Sequence, residues 1–347
     1  MANKILILKP SSLGDVIHAL PVLRLLRRHL PQSEIYWWIE SGLAPLLQDD
    51  PDLNGIIRFN RKRWAEPRNW ARLWRDVRWA RVQNFDWVID LQCLARSAIF
   101  AWLANGQLTI GLDGTREGAR GFYDVVVPRR SPDTHAVDWY LAVLQMLQVP
   151  VHWNFEWLPP RPEAAISIRQ RFPVENVRWI ILQPGARWQN KRWPVDSFVE
   201  VVRRFRAQHH GVRFAILGGA EDRPLGGPIA QAAPQNCLDL TGQLSLPEML
   251  EWIRLSELMV TNDTGPMHAA AALGKPVVAL FGPTNPNRTG PYGQSRNVLQ
   301  LNLNCVPCLS PHCRNPKPLE CLRALPPSVV IQKMEERLAP KTAVKGN

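Results

Sequence analysis

No apolar run in this 347-residue sequence approaches the length needed to cross a bilayer. The opening, MANKILILKPSS, holds only about four apolar residues in line before Lys9 and Pro10, short of an export-signal core. The chain is therefore expected to be soluble and cytoplasmic. The phosphate loop G-x-x-x-x-G-K-[ST], a G-x-G-x-x-G turn after a strand, and the zinc-protease motif H-E-x-x-H are all absent. A D-x-D triplet does occur, Asp50-Pro51-Asp52, but its setting QDDPDLNG reads as a turn between helix and strand rather than a metal site. Six cysteines do not form a framework spread through the chain. Cys93 and Cys237 are isolated among apolar neighbours, which suits small buried side chains. Cys305, Cys308, Cys313 and Cys321 cluster with His312 in NCVPCLSPHCRNPKPLEC. The first pair has C-x2-C metal-ligand spacing and the second has C-x7-C, so a structural zinc, a redox-sensitive loop and a proline-rich connection all stay open.

What is present is a globular composition, 46% hydrophobic and 21% charged. Forty-two basic residues against 30 acidic ones leave a net charge of +12, which favours an anionic partner. The densest basic stretch, RKRWAEPRNWARLWRDVRWAR from Arg61 to Arg81, interleaves arginine with tryptophan. The spacing of Trp70, Leu73, Val77 and Ala80 predicts an amphipathic helix whose indoles serve the core and whose arginines are solvated. Arg61, Lys62 and Arg63 precede the periodic part and are candidates for phosphate contacts. No nucleic-acid motif accompanies the charge, so nucleic acid is not the expected partner.

Short apolar runs alternate with amphipathic stretches, the pattern of a mainly parallel sheet covered by helices. Strands are predicted at 5–8, 35–39, 87–90 and 108–111. After a proline-rich break at LPPRPEA the alternation restarts, with strands at 179–182, 213–217, 258–261 and 276–281. Helices are predicted at 195–205, 246–255 and 266–273. The expected fold is α/β, two Rossmann-like domains facing each other across a cleft: residues 1–160, residues 175–325, and a C-terminal helix and tail at 326–347. That helix carries Val329, Val330, Met334 and Leu338 toward an apolar surface, with a packing back across the linker in view.

Three loops follow strands and gather polar and small residues. In KPSSLGD, Asp15 stands at a helix start, where a cap and a catalytic carboxylate are both compatible with the residue type. In QPGARWQNKRWP, Arg187 and Lys191 can neutralise a leaving diphosphate, or serve as a solvated basic loop. In NDTGPMH, Pro266 suits the first turn of a helix whose N-terminus presents N–H groups to a diphosphate. Asp263 or Thr264 as a cap explains one polar residue there, not the whole set with Gly265 and His268. GGAED places Glu221 where a carboxylate can hold ribose hydroxyls.

These loops, with FDWVIDLQCLARSA and the run NDTGPMHAAAALGKPVVALFGPT, closely resemble the lipopolysaccharide heptosyltransferase family, glycosyltransferase family 9, over nearly the whole chain. The resemblance implies the GT-B fold, ADP-heptose as donor, and a lipid A–Kdo or core-sugar acceptor reached by peripheral contact with the inner membrane. It implies no cofactor and an inverting displacement. Asp15 matches the family's proposed general base, with Ser11 and Ser12 beside it, and Lys191 matches the basic residue near the departing diphosphate. Asp263, Thr264, Gly265 and His268 match the donor loop, Glu221 the ribose contact, and His135 an acceptor-side position joined there by Arg61, Lys62 and Arg63. Cys93, where the family often has glycine, and Asp138-Trp139 after His135 depart from the pattern. Alternatives are a family member moving another nucleotide sugar and a catalytically silent carbohydrate- or nucleotide-binding protein.

Overall fold

The protein is described by a computed structural model over residues 2–60, 70–114 and 117–339. The chain divides into two compact units, Met1–Pro159 and Pro160–Asn347. In the first, strands β1 (Lys4–Leu8), β2 (Glu34–Glu40), β3 (Gly55–Phe59), β4 (Trp87–Asp90), β5 (Leu108–Leu112) and β6 (Val125–Val127) pair in the order β3-β2-β1-β4-β5-β6. In the second, β7 (Arg178–Gln183), β8 (Val212–Ile216), β9 (Cys237–Asp239), β10 (Leu258–Asn262), β11 (Val277–Phe281) and β12 (Val298–Gln300) pair as β12-β11-β10-β7-β8-β9. All pairings are parallel. Each sheet has the strand order of a dinucleotide-binding domain, with its reversal beside the first strand of the unit. The α/β class with two Rossmann-like units is as the sequence pattern predicts.

The central strands are buried because both sheet faces are covered. Leu6 and Leu8 of β1 join a core with Val77 and Ala80 of α2 (Trp70–Val82) and with Phe100, Ala101 and Ala104 of α3 (Ala95–Ala104). Trp38 of β2 stacks on Phe100, ring centroids 4.9 Å apart. Ile5 and Ile7 point to the opposite face by the two-residue period of a strand. There α1 (Leu13–His29) packs on α4 (Ala136–Met146). A capping box starts α1, and Arg27, Arg28 and His29 in its last turn complement the helix dipole.

The side chains of Trp70 and Leu73, and all of Arg61, Lys62 and Arg63, lie outside the described residues. Val77 and Ala80 are buried as the periodicity predicts, but the indoles are not all core: Trp74 is 62% exposed and Trp79 37%. At 100° per residue Trp74 falls about 60° from Val77 and 120° from Ala80, and Trp79 about 160° and 100° from them, so both rings lie outside the buried stripe.

In the second unit α6 (Val195–Gln208) buries Phe198, Val201, Val202 and Phe205 against Leu182, Phe214 and Val260 of the sheet. The C-terminal helix Pro327–Leu338 joins that same core through Val330, Ile331 and Met334, contacting α6, β10 and β11. It thus completes its own unit, where each buried side chain is worth roughly 1.5–3 kcal/mol. Strands β3, β6, β9 and β12, which the pattern did not single out, are the outermost strands of the two sheets, β3 five residues long and the others three. Half-covered and short, they lack the longer buried runs of the central strands.

Asp50 and Asp52, read as turn residues, hold a buried cation. The Arg24 guanidinium of α1 binds both Asp50 oxygens at 2.6 and 2.7 Å, Asp52 Oδ2 at 2.7 Å and the Trp157 carbonyl at 3.0 Å. The Arg24 and Asp50 side chains are 5% and 1% exposed, so one without the other leaves an uncompensated buried charge. Asp50→Ala is expected to lower the unfolding free energy by about 3–5 kcal/mol in urea titrations. A loss below about 1 kcal/mol would show that the pair is not what anchors α1 to the 50–52 turn.

Candidate active site

In an open parallel sheet the loops that leave the carboxyl ends of the two strands flanking the order reversal diverge, and ligands bind in the gap. In the second unit those strands are β7 and β10. The loop after β7 carries Pro184–Trp193, and β10 runs directly into Asp263, Thr264 and helix α9 (Gly265–Ala272).

Asn262 ties the two together: its Nδ2 donates to the Pro184 carbonyl at 2.7 Å, and its Oδ1 accepts from the Trp193 N–H at 3.0 Å. Lys191 Nζ donates to Asp263 Oδ2 at 2.6 Å, and Thr284 Oγ1 donates to the same oxygen at 2.7 Å. The ammonium also stands 4.8 Å from the centre of the Trp188 ring. An ammonium has three donors, so after Asp263 it keeps capacity for phosphate oxygens. Thr264 is the N-cap of α9 but makes no side-chain capping bond, and Pro266 occupies the first turn. Asp263 and His268 are buried, whereas Arg187 and Glu221 are exposed.

The buried acid of GGAED is Asp222, one residue beyond the expected Glu221. Its Oδ2 accepts from the Gly219 N–H at 3.1 Å, and Arg192 lies 3.8 Å away. Burial pushes its carboxyl above the ordinary range, against the pull of that N–H and of Arg192. Asp222 fills the space where a Cβ on Gly185 would stand, so glycine after β7 is what lets it approach.

In the first unit the reversal lies between β1 and β4. Lys9, at the end of β1, is buried and donates through Nζ to the Leu91 carbonyl after β4 at 2.8 Å. It also stands 4.9 Å from the Tyr140 ring centre on α4. Burial alone would lower the Lys9 ammonium, but the hydrogen bond with Tyr140 and the attraction of Asp15 oppose it and raise the group. Burial pushes the Tyr140 phenol up to about 12, against the opposing pull of Lys9, so it stays neutral. Asp15 is the third residue of α1, and its Oδ2 accepts from both the Ser12 N–H at 3.0 Å and the Ser12 hydroxyl at 2.7 Å. It is therefore a helix cap in structure, held beside a permanent cation. His135 caps α4, accepting through Nδ1 from Val137 N–H at 3.2 Å. Its ring meets the buried His18 of α1 edge-on at 5.0 Å.

The expected residues follow the carboxyl ends of strands in each unit, Ser11, Ser12, Asp15 and His135 in the first and Arg187, Lys191, Glu221, Asp263, Thr264, Gly265 and His268 in the second; direct contacts join Ser12 to Asp15 and Lys191 to Asp263. Lys9, Tyr140, Asp222 and Thr284 were not anticipated, and Asn262 was expected only as a member of the NDTGPMH set. Lys9 and Thr284 sit just past buried strands, a position that by itself marks them.

The four clustered cysteines line a cavity of about 700 Å³. Cys305 Sγ accepts from Asn315 Nδ2 at 3.4 Å, and Cys313 Sγ from the Leu319 N–H at 3.3 Å. Cys305, Cys308 and Cys313 are exposed and Cys321 is buried. Among the described residues no three His, Cys, Asp or Glu side chains converge as metal ligands. The candidate zinc set of Cys305, Cys308, Cys313 and Cys321 thus lines one cavity without converging on a ligand geometry, and amide donors engage Cys305 and Cys313.

Two tandem units of Rossmann order, each with charged loops stapled at its reversal point, define a two-domain α/β protein. A profile of glycosyltransferase family 9 (heptosyltransferase) matches residues 70–318, and the chain belongs to that family of glycosyltransferases. It is 29% identical to lipopolysaccharide heptosyltransferase 1 of Pseudomonas aeruginosa, over 98% of this chain and 99% of the relative. Its fold matches a family 9 glycosyltransferase from Veillonella parvula at a TM-score of 0.80, with 24% identity and 97% of each chain covered. It also matches E. coli heptosyltransferase WaaC with ADP at 0.76, with 23% identity, covering 96% and 99% of the two chains.

Because Asn262 satisfies two buried backbone groups of the β7 loop, Asn262→Ala is expected to cost about 1–3 kcal/mol of stability, the desolvation cost of buried partners left unpaired. Urea unfolding measures this, and a change within a few tenths of a kcal/mol would show that the loops hold together without it.

Proposed function

We propose that the chain transfers a heptose from ADP-heptose to the inner core of lipopolysaccharide, with inversion at the anomeric carbon and no metal ion. The observation that carries this reading is Lys191, Asp263 and Thr284 gathered at the N-terminus of α9. A helix N-terminus with a cation beside it suits a diphosphate. Support for the donor comes also from the relatives, whose names specify lipopolysaccharide heptosyltransferase and, for WaaC, a complex with ADP.

In this reading the second unit takes the donor, with Arg187 and Lys191 on the diphosphate and Glu221 on the ribose. Thr264, Gly265 and His268 shape the donor loop. The first unit takes the acceptor through Ser11, Ser12 and His135, with Arg61, Lys62 and Arg63 on acceptor phosphates. An acceptor hydroxyl attacks the anomeric carbon, its proton passes to the Asp15 carboxylate, and the bond to the diphosphate breaks to release ADP. Lys191 and the α9 N–H groups stabilise the charge that grows on the leaving oxygen, the task a metal performs in other transferases. The Lys9 ammonium lies within electrostatic reach of Asp15 and attracts its carboxylate. The acceptor is lipid-linked, which brings the protein to the inner face of the membrane.

Purified protein given ADP-heptose and a Kdo–lipid A acceptor in EDTA is expected to release ADP. Folded protein that releases none with any heptose donor would sink the proposal. Asp15→Asn separates cap from base, since an amide oxygen still accepts from Ser12 but takes no proton. Its thermal stability and ADP affinity are expected to stay near wild type, while turnover falls at least about a hundredfold. Turnover within a few-fold of wild type would remove Asp15 from the base role.

A further inference from the structure

The outer surface of α2 and α3 is not explained by catalysis. Both helices cover the same face of the first sheet, since Val77, Ala80, Phe100, Ala101 and Ala104 share one core with Leu6 and Leu8. They also pack against each other, so their outward arcs form one continuous surface. That surface carries Trp74, Trp79 and Val82 of α2 and Ile99 and Trp102 of α3, from 37% to 69% exposed, with one side of the Trp79 ring packed on Tyr36 and of the Trp102 ring on Phe122. These are half of the ten large apolar side chains exposed among the described residues.

Placed at 100° per residue, Arg81, Trp74, Arg78, Val82, Arg75 and Trp79 occupy an arc of about 160° on α2, opposite Val77 and Ala80. Arg75, Arg78 and Arg81 are exposed. The one acid of the helix, Asp76, falls on the flank outside that arc. Among the described residues no carboxylate pairs with the three arginines.

We propose that this α2–α3 face docks on an anionic phospholipid surface. Indoles settle at the headgroup level of a bilayer, arginines lie among lipid phosphates, and aliphatic side chains gain by entering the acyl boundary. A nucleic acid would use the arginines and indoles but has no use for Val82 and Ile99, which stay in water on a phosphate backbone. The choice of a bilayer as occupant rests on the reading of the acceptor as lipid-linked. The face itself contains none of the residues assigned to donor or acceptor.

Flotation of the full chain with vesicles tests this. Wild type is expected to bind vesicles containing phosphatidylglycerol, to bind purely zwitterionic vesicles at least tenfold more weakly, and to lose binding as salt is raised. Arg75→Gln, Arg78→Gln and Arg81→Gln together are expected to weaken binding roughly a hundredfold, at about 1 kcal/mol per arginine and about 1.4 kcal/mol per decade. Trp74→Ser with Trp102→Ser is expected to lower it at least tenfold on the same vesicles. Circular dichroism and thermal unfolding check the fold, and the charge-only variant stands on its own if the tryptophan variant misfolds. Heptose transfer to a deacylated, water-soluble acceptor is expected to be unchanged in both variants. Vesicle binding that ignores composition, or that both folded variants retain, overturns the proposal. So does a face that instead binds an oligonucleotide or drives self-association in sedimentation velocity. Transfer without vesicle binding overturns this inference alone, and vesicle binding without transfer overturns only the catalytic reading.

Discussion

Lys191 and Asp263, 2.6 Å apart, close the gap that a parallel sheet leaves where its strand order reverses. The arrangement of the second unit's charged groups depends on that closure. Without a cation from the β7 loop, the Asp263 carboxylate would be buried with only the Thr284 hydroxyl and costly to desolvate. Without Asp263, the ammonium would have no anchor at the start of α9. The first unit solves the same geometric problem with Lys9, which crosses from β1 to the carbonyl after β4. Two sheets of one strand order carry a lysine staple at the same topological place, and in each the polar residues of interest lie within a turn of it.

The staples also explain why caps and site residues coincide. A helix that leaves a buried strand must satisfy its first N–H groups where solvent is scarce, so the chain supplies polar side chains there. Asp15 does so for α1 with Ser12, and His135 does so for α4. The same side chains then face the space that the diverging loops leave. Structural need and ligand chemistry draw on one set of residues, and the residue type alone does not separate them.

Charge has a similar double character. The +12 balance concerns the whole chain, but its effects are local. Arg24 is consumed inside the first unit by Asp50 and Asp52, and Arg178 on the surface of the second by Glu257. Arg75, Arg78 and Arg81 of α2 are exposed, as are Trp74 and Trp79 of the same helix. A basic composition becomes a surface with a purpose only where the fold leaves charge unpaired and places apolar side chains beside it.

By itself the sequence determined the alternation of strands and helices, the break after residue 158, and the three loops that carry most of the polar site. Those features follow from local periodicity and from turn chemistry that neighbouring residues dictate. It also carried the family resemblance through KPSSLGD, QPGARWQNKRWP and NDTGPMH. Only the tertiary structure decided that Lys9 and Tyr140 belong with Asp15, that Thr284 shares Asp263 with Lys191, and that Asp222 rather than Glu221 is the buried acid. It also returned the C-terminal helix to its own unit, set the four clustered cysteines around one cavity, and turned Trp74 outward. Each of these depends on pairings between residues far apart in the chain. Helical spacing states which residues share a face, but the neighbours brought by the sheet decide whether that face is core or surface.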